Sequence, residues 1–299
     1  MRIFVTGAGG FIGSRIASRL RNAGHEVVTH SRSLNGDLVP GSIPLDAEVI
    51  VNSAGRLGGR GVPLEEMEKS NAGIPAMIAD HCGRTGARVI HLSTPGVTGL
   101  IPEASEDSPY APWGDYERTK TLGERILLGE GSPDSEPVTV LRPDFVYGPG
   151  DRHKLPLFRK AAGGLFPLIG RRGARIRPTF VEDVCSAVEA SLPGGRLSGG
   201  LYNIGGPDIV TVGDLALQAG ECVGRRVLLL PVPRVALRLL LLLGPLCPPS
   251  LSQSRLRLLG EDHYVSIDRA CAAGFQPEWP VPDGVAKTME WYRNEGYLR

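Results

Sequence analysis

Short apolar runs alternate with longer amphipathic stretches along the first half of this 299-residue chain. The apolar runs are typical of buried strands and occupy residues 2–7, 25–30, 47–55, 87–94 and 137–143. Apolar positions recur at helical spacing between them, in residues 11–23, 63–84 and 115–129. This alternation predicts an α/β fold, a doubly wound parallel sheet with right-handed crossovers. Such sheets bind ligands at the carboxyl ends of their strands, where we expect Thr6, Ser53, Thr94 and Pro143.

The strand and helix rhythm breaks after about residue 146 and returns briefly at 201–206. We therefore predict a sheet domain of residues 1–145 plus about 177–205. Residues 146–176 plus about 206–299 form a smaller, discontinuous region that shapes a substrate pocket. The seventeen residues 31–47 are too few for a full strand and helix, so the sheet is expected to lose an element there.

Composition favours a small-molecule partner. The formal net charge is +1 and both signs are interspersed, which excludes a basic face for nucleic acid. The five cysteines lie far apart without zinc spacing, so we expect reduced thiols and no metal. Only three apolar residues precede the first glycines, which does not make a signal peptide, and we expect a cytoplasmic protein.

A leucine-rich segment at residues 234–259 is the one stretch that suggests a membrane. Its uninterrupted apolar run covers only residues 239–243, far too short to span a bilayer. A buried helix, or a lid over an apolar substrate, is the favoured interpretation.

The glycines of residues 6–13, TGAGGFIG, follow the first predicted strand and open the first helix. We expect Gly7 to permit a tight turn, Gly10 to let the backbone approach a pyrophosphate, and Gly13 to let the helix pack on the strand. Phe11 and Ile12 open the helix beside the bound phosphates, and Ile12 stands where G-x-G-x-x-G has its last glycine. The loop predicts dinucleotide binding.

The end of the second strand indicates which dinucleotide binds. NAD-binding chains usually carry an acidic residue there, whereas this chain has Ser31 and Arg32. A hydroxyl and a guanidinium can bind a 2′-phosphate that a carboxylate would repel. NADP is therefore preferred over NAD, although an NAD enzyme with Arg32 as a solvated residue stays open.

Tyr116 and Lys120 lie four residues apart on the predicted helix 115–129. The pair is either a catalytic acid/base with its activator or two neighbours on a helix surface. An ordinary tyrosine ionises near pH 10, and an adjacent ammonium favours the phenolate. His91, within a predicted strand, is expected to be packed and has no partner visible in the sequence.

Several further motifs follow in a fixed order: NSAG (52–55), LST (92–94), LRPDFVYGPGD (141–151) and RPTFVEDV (177–184). With the glycine loop and Tyr116-x-x-x-Lys120, the chain resembles the extended branch of the short-chain dehydrogenase/reductase superfamily, the NAD-dependent epimerase/dehydratase type. The resemblance covers essentially the whole chain. It implies a Rossmann-type sheet with a smaller, discontinuous C-terminal substrate-binding region.

The resemblance also implies roles. Tyr116 would be the general acid or base, Lys120 its activator and ribose ligand, and Thr94 the hydroxyl that holds the substrate oxygen, with Ser93 as a second candidate. Further cofactor contacts would come from Asp37, Leu38, Ala54, Gly55, Pro143 and Val146. A homodimer through helices that include 115–129 is possible.

Departures from the family pattern restrict the chemistry. Pro95 and Gly96 stand where the 4,6-dehydratases carry an Asp-Glu pair, which disfavours dehydration. Phe145 replaces an asparagine that epimerases use for substrate diphosphate, which suggests an apolar contact. Arg177 either meets a diphosphate or pairs with Glu182 or Asp183.

Three functions remain. The leading hypothesis is an NADP-dependent oxidoreductase that interconverts a ketone and a secondary alcohol. The second is a nucleotide-sugar epimerase with a transient keto intermediate, and the third is a non-catalytic cofactor-binding protein of the same fold.

Overall fold

The computed structural model describes residues 1–59, 61–129, 138–241 and 253–298. Its centre is a six-stranded sheet in which every neighbouring pair is parallel. The strands, numbered in chain order, are β1 (Arg2–Thr6), β2 (Glu26–His30), β3 (Val49–Asn52), β4 (Arg88–Leu92), β6 (Val138–Pro143) and β11 (Gly200–Ile204). They lie in the order β11-β6-β4-β3-β1-β2, which confirms the predicted doubly wound fold.

Shorter strands extend the fold outside this sheet. They are β5 (Pro102–Ala104), β7 (Val146–Tyr147), β8 (Leu165–Ile169), β9 (Arg175–Ile176), β10 (Thr179–Phe180), β12 (Val210–Thr211), β13 (Leu228–Val232) and β14 (Tyr264–Val265). The pairs β5 with β14, β7 with β10 and β8 with β13 are parallel, and β9 with β12 is antiparallel.

The helices of the described residues cover the sheet and build the region beyond it. They are α1 (Phe11–Asn22), α2 (Arg32–Asn35), α3 (Leu64–Glu68), α4 (Ile74–Thr85), α5 (Asp115–Leu128), α6 (Leu155–Ala162), α7 (Val181–Ala190), α8 (Val212–Glu221), α9 (Arg234–Leu241), α10 (Gln253–Gly260), α11 (Asp268–Ala272) and α12 (Val281–Asn294). A π-helical turn, Lys69–Gly73, joins α3 to α4, and 3₁₀ turns occupy Pro40–Ser42 and Pro95–Thr98.

The chain reverses direction across the sheet directly after β2. That strand is at the edge, and β3 pairs with the other side of β1. Only α2 and one 3₁₀ turn fill the connection. The expected loss of an element between residues 31 and 47 is therefore confirmed.

Alternate residues of the central strands face opposite layers. Ile3 and Val5 pack with α1 and α7, whereas Phe4 between them packs with Ile78 of α4 and Leu127 of α5. Because both faces are covered by helices, β3 and β6 are buried along their whole length. Their nearly continuous apolar runs follow from this position.

A separate aromatic cluster fills the region beyond the sheet. Tyr147, Phe158 and Phe180 pack there with Met289 and Tyr292 of α12. The boundaries predicted for the two regions stay a prediction.

The leucine-rich segment differs from the expectation where the structure describes it. Val235 and Leu239 of α9 are 66% and 60% exposed, so a buried helix is wrong for this part, whereas a lid over an apolar substrate stays a prediction. Residues 242–252 lie outside the described residues. Among the described helices, none combines the length and apolar character needed to cross a membrane.

Candidate active site at the carboxyl edge of the sheet

The glycine loop joins β1 to α1 in the geometry that a phosphate-binding turn requires. Gly7 has φ +67°, and a Cβ on it would lie 2.7 Å from the backbone nitrogen of Ala54. A Cβ on Gly13 would lie 2.3 Å from the carbonyl oxygen of Gly7, so only glycine allows α1 to approach β1 this closely. Gly10 precedes α1, and no side chain caps its first N–H groups. These N–H groups fit a bound anion.

Residues at the end of β2 lie beside this loop. The Ser31 side chain is buried, and a Cβ on Gly9 would be 3.1 Å from its Oγ. Arg32 follows at the first position of α2 and is exposed. A cavity of about 150 Å³ opens here, with Gly9, Ser31 and Asn35 in its lining. Ser31 and Arg32 thus lie next to the loop as expected, while their role in cofactor choice stays a prediction.

The two contacts expected on the adenine side differ in environment. Asp37 is exposed and pairs with Lys69 at 2.8 Å, and this partner lowers the pKa of Asp37. Leu38 is buried in the core beside Phe4 and Ile43, so only its backbone is available to a cofactor. Both assignments stay predictions.

Lys120 of α5 reaches the end of β4 in a buried position. Lys120 is only 2% exposed, and its Nζ donates to the carbonyl oxygen of Leu92 at 2.6 Å. Burial lowers the pKa of Lys120 to about 8, against the opposing effect of the Glu124 carboxylate. The carbonyl that the ammonium binds belongs to Leu92, the last residue of β4, and Ser93 and Thr94 follow it directly in the chain.

Two hydroxyl groups follow this contact. Thr94 Oγ1 accepts the N–H of Gly96 at 3.3 Å and so caps the 3₁₀ turn at Pro95–Thr98. Ser93 Oγ is buried and has no hydrogen-bond partner among the described residues. A buried hydroxyl without a partner is available to a substrate oxygen. The structure therefore keeps Ser93 as a candidate beside Thr94.

Tyr116 lies one helical turn before Lys120, near the loop that follows β3. A Cβ on Gly58 would be 3.6 Å from the Tyr116 Cβ. In the free protein, burial raises the pKa of Tyr116, and the Glu117 carboxylate adds to this effect. The lowering of this pKa expected from the Lys120 ammonium stays a prediction.

Asn71 links the loop that follows β3 to α5, the helix of Tyr116, and the sequence did not predict this role. Buried in the π-helical turn, it accepts the N–H of Arg56 at 2.8 Å and donates to Thr119 Oγ1 at 2.9 Å. Thr119 Oγ1 in turn donates to the Tyr116 carbonyl oxygen. An asparagine within an otherwise helical stretch was the available signal, because asparagine is a poor helix former. Gly55 lies beside its amide oxygen.

The opposite wall of the edge follows Pro143 at the end of β6. Phe145 has φ +35°, an unusual conformation for a bulky side chain, and the Lys154 ammonium lies 4.9 Å from its ring centroid. Val146 begins β7 and is buried. Pro143 and Val146 thus flank a strained phenylalanine at the expected side of the site.

Arg177 is held by the Asp144 carboxylate and the Gly206 carbonyl. Its N–H donates to Asp144 Oδ2 at 3.3 Å, and its guanidinium donates to the Gly206 carbonyl at 3.1 Å. Glu182 pairs with Arg15 instead, and Asp183 accepts the N–H of Glu278. The alternative pairing of Arg177 with Glu182 or Asp183 is therefore wrong, and a contact with substrate stays a prediction.

No group of three or more His, Cys, Asp or Glu residues suited to a metal ion occurs in the part of the chain that the structure describes. The six-stranded parallel sheet, with the glycine turn between β1 and α1, defines a protein of Rossmann type. Residues 3–205 match the NAD dependent epimerase/dehydratase family, and the chain belongs to this family. Its relatives include NAD(P)-dependent oxidoreductases, epimerases and dehydratases.

Individual relatives agree with this assignment. The 2-alkyl-3-oxoalkanoate reductase of Stenotrophomonas maltophilia (strain K279a) is 27% identical over 253 residues, 75% of this chain and 76% of that protein. MoeE5 in complex with UDP-glucuronic acid and NAD superposes with TM-score 0.76 at 23% identity, covering 99% of this chain and all of the other. Human epimerase family protein SDR39U1 (isoform2) with NADPH gives TM-score 0.80 at 21% identity, covering 97% and 99%. The two structural likenesses support the fold.

Proposed function

We propose that this protein is a cytoplasmic NADP-dependent oxidoreductase that interconverts a ketone and a secondary alcohol on a small molecule. One observation carries the proposal. The Lys120 ammonium binds the Leu92 carbonyl, directly before the hydroxyls of Ser93 and Thr94 and one helical turn from Tyr116. A proton-exchanging phenol, a cation and two hydroxyls at one edge suit the reduction of a carbonyl group.

Each residue has a distinct task in this reaction. The bound nicotinamide supplies or accepts the hydride. Tyr116 exchanges a proton with the substrate oxygen, and Thr94, assisted by Ser93, donates a hydrogen bond that orients this oxygen. Lys120 holds the cofactor ribose and favours the ionised form of Tyr116. Lys120→Ala should therefore weaken cofactor binding and turnover together.

NADP preference is supported by Ser31 and Arg32. Ser31 lines the cavity next to Gly9, and the exposed Arg32 follows it in the chain. A guanidinium that reaches this cavity would give a 2′-phosphate a charge-assisted hydrogen bond. Arg32→Ala should weaken NADPH binding about 10-fold to 100-fold and leave NADH binding nearly unchanged. Isothermal titration with both cofactors measures this, and tighter binding of NADH by the wild type would contradict the preference.

A ketone substrate with an apolar part is supported by Phe145, whose ring flanks the site where a diphosphate-binding asparagine is absent. The reductase from Stenotrophomonas maltophilia acts by its name on a 3-oxo acid, so 2-alkyl-3-oxoalkanoates are suitable first probes. An epimerase is the second candidate, because the UDP-glucuronic acid 4-epimerase from Bacillus cereus has a similar fold. An epimerase would change a UDP-sugar with no net change in NADPH absorbance.

Absorbance at the NADPH band tests the reductase directly. The wild type should consume one NADPH per ketone, and Tyr116→Phe should lower kcat about 10³-fold with cofactor binding retained. Tyr297→Phe is the matched control, since this ring packs beside Trp291 and Tyr292 outside the sheet edge. Equal turnover by Tyr116→Phe and wild type would contradict the mechanism. If NADPH binds but no ketone or UDP-sugar is turned over, the third function, a non-catalytic binding protein, is favoured.

We also propose a homodimer through α5. Leu122 and Ile126 lie one turn apart on this helix and are 45% and 38% exposed, so they offer an apolar stripe to a second copy. Light scattering should give twice the chain mass for wild type and the monomer mass for Leu122→Glu. A monomeric wild type would contradict this.

A further inference from the structure

A buried chain of polar side chains runs under the sheet edge from the glycine loop to Lys120. Thr6 Oγ1 lies 2.7 Å from Asn52 Oδ1, and Asn52 Nδ2 lies 3.0 Å from His91 Nδ1. His91 Nε2 lies 3.5 Å from Lys120 Nζ. Thr6, Asn52 and His91 are each at most 1% exposed, so solvent does not compete with these contacts. At the loop end, Thr6 Oγ1 also accepts the N–H of Ala54 at 3.3 Å.

The chain spans three neighbouring strands in register. Thr6 of β1 pairs with Asn52 of β3, and Asn52 pairs with His91 of β4. The three side chains therefore lie side by side at the carboxyl ends of their strands. The Lys120 side chain of α5 contacts the last of them, His91. The strand register therefore fixes the positions of these side chains relative to one another.

His91 is neutral in this position. Burial lowers its pKa well below the ordinary value, and the charge of Lys120 lowers it further. A neutral imidazole has one N–H donor and one nitrogen lone pair, so it cannot accept at both ends or donate at both ends. The contacts to Asn52 and Lys120 must therefore be of opposite kinds.

Only two hydrogen-bond patterns satisfy this condition. In the first, Asn52 Nδ2 donates to His91 Nδ1, the ring proton is on Nε2, and Lys120 accepts it as an uncharged amine. In the second, the Asn52 amide is turned by 180°, so that its nitrogen donates to Thr6 Oγ1 and its oxygen accepts the Nδ1 proton. Nε2 then accepts a proton from the Lys120 ammonium. Conversion of the second pattern to the first releases one proton to solvent.

We propose that His91 is a positioning residue for Lys120, and that its neutral ring changes tautomer together with the charge of the lysine. In the charged state, the Leu92 carbonyl and His91 Nε2 accept two of the three ammonium N–H groups. The third N–H is left for the cofactor ribose. The importance of this geometry for turnover rests on the proposed function, whereas the tautomer coupling does not.

The charged and titratable groups around Lys120 come from three elements. Tyr116 and Glu124 lie on α5 itself, and His91 lies on β4. The Glu124 carboxylate is engaged by Arg142 of β6, with N–O distances of 2.9 and 2.6 Å, and by the Tyr110 hydroxyl at 2.9 Å. Because Glu124 is already bound on both oxygens, His91 is the group free to respond to the lysine proton.

Lysine and histidine NMR of the free protein tests the coupling without any substrate. The chain has only five lysines, so a ¹³C,¹⁵N-lysine sample resolves Lys120, which Lys120→Arg identifies by the loss of its signal. In a titration from pH 6 to 10, we expect the His91 ¹⁵N shifts to pass from an unprotonated Nε2 to an unprotonated Nδ1 at the Lys120 midpoint. One tautomer on both sides of that midpoint, or an imidazolium in this range, would overturn the proposal.

Variants give a second measurement. His91→Phe removes an acceptor of the ammonium and should lower the Lys120 pKa by about one unit, because hydrogen bonds to charged groups are worth this much. His91→Gln keeps a turning amide and should restore the wild-type value within about 0.3 units. His81→Phe replaces another buried histidine, on α4, and should leave Lys120 unchanged.

An unchanged Lys120 pKa in His91→Phe, or an equal shift in His81→Phe, would contradict the role of His91. If His91→Phe does not fold, the tautomer titration of the wild type and the Lys120 pKa in His91→Gln still test the proposed role of His91. Once ketone turnover is measured, the alkaline limb of kcat/KM in His91→Phe should move down by the same amount as the lysine pKa. Absence of turnover with every probe would refute the proposed function and leave the NMR result intact.

Discussion

The sheet edge and the substrate region are both well buried, yet they are held together by different forces. Directed polar contacts lie beneath the edge, and they involve Thr6, Asn52, His91, Lys120 and the Glu124–Arg142 pair. The substrate region is an aromatic and aliphatic cluster around Tyr147, Phe158 and Tyr292. Hydrogen bonds fix angles and distances, whereas apolar packing fixes mainly volume. The residues proposed for proton exchange thus stand on the rigid part, and those that shape the pocket stand on the adaptable part.

The largest effect is expected from breaking the polar region at its buried ion pair. Arg142→Leu leaves the Glu124 carboxylate buried and unpaired, which should lower the free energy of unfolding by about 3–5 kcal/mol. Arg172→Leu is the control, because Arg172 pairs with Asp262 at the surface and should contribute at most about 1 kcal/mol. Urea unfolding measures both. Similar losses in the two variants would show that the buried pair has no special weight.

The second-largest effect on stability is expected where α1 packs against the glycine loop. Gly13→Ala places a methyl group against the Gly7 carbonyl and Ser53 Oγ, which should cost about 1–3 kcal/mol of stability and reduce cofactor binding. Gly83→Ala in α4 meets nothing within 4 Å and should be neutral or stabilise by up to about 1 kcal/mol. Thermal unfolding with and without NADPH compares the two. Normal cofactor binding by Gly13→Ala would argue against the proposed approach of the phosphates.

The pH dependence of stability probes the boundary between the regions at Asp144. Burial raises the pKa of this carboxyl from 3.8 to about 6, opposed by His263 and the Arg177 N–H. Between about pH 4 and 6 the folded protein keeps a proton that the unfolded chain has lost, so this group's contribution to stability falls as pH rises. Asp144→Asn should therefore stabilise the protein by about 1–3 kcal/mol at pH 7 and have little effect at pH 4.

Chemical denaturation of wild type and Asp144→Asn at both pH values measures this difference. Asp107→Asn replaces an exposed carboxyl and serves as the control. A gain for Asp144→Asn that is the same at pH 4 and pH 7 would show that ionisation of this carboxyl is not the cause.

The smallest effect is expected in the packed region. Leu215→Met changes a fully buried side chain of α8 at nearly constant volume and should cost less than about 1.5 kcal/mol, with cofactor binding unchanged. A loss as large as that of Arg142→Leu would contradict the contrast between directed and volume-filling contacts. Urea unfolding under the same conditions gives the comparison.

Local patterns in the sequence were sufficient for the sheet. The apolar runs, the helical spacing and the glycine turn depend on near neighbours, so β1, α1, β3, β4, α5 and β6 were predicted close to their bounds. The short crossover after β2 was also visible, since seventeen residues limit what can be built. Short strands such as β7, β9 and β10 were not predicted, because two residues carry no period and pair only through distant partners.

Only part of the candidate site could be predicted from local sequence patterns. Tyr116, Lys120 and Thr94 carry motif spacing, and their proximity follows from strand order. His91 and Asn52 carry none, and His91 was interpreted as a packed strand residue. Its partners lie 39 and 29 positions away, and only the register of β3 on β4 and the approach of α5 bring them together.

The sequence by itself determined the class of fold, the dinucleotide loop and the residues proposed for proton exchange, because spacing along one strand or helix sets these features. Tertiary structure alone decided the exposed face of α9, the partners of Arg177 and the polar row beneath Lys120. These depend on which surfaces become buried together, and burial is a property of the whole packed molecule. The contact of Lys120 on α5 with His91 on β4 is set at that level.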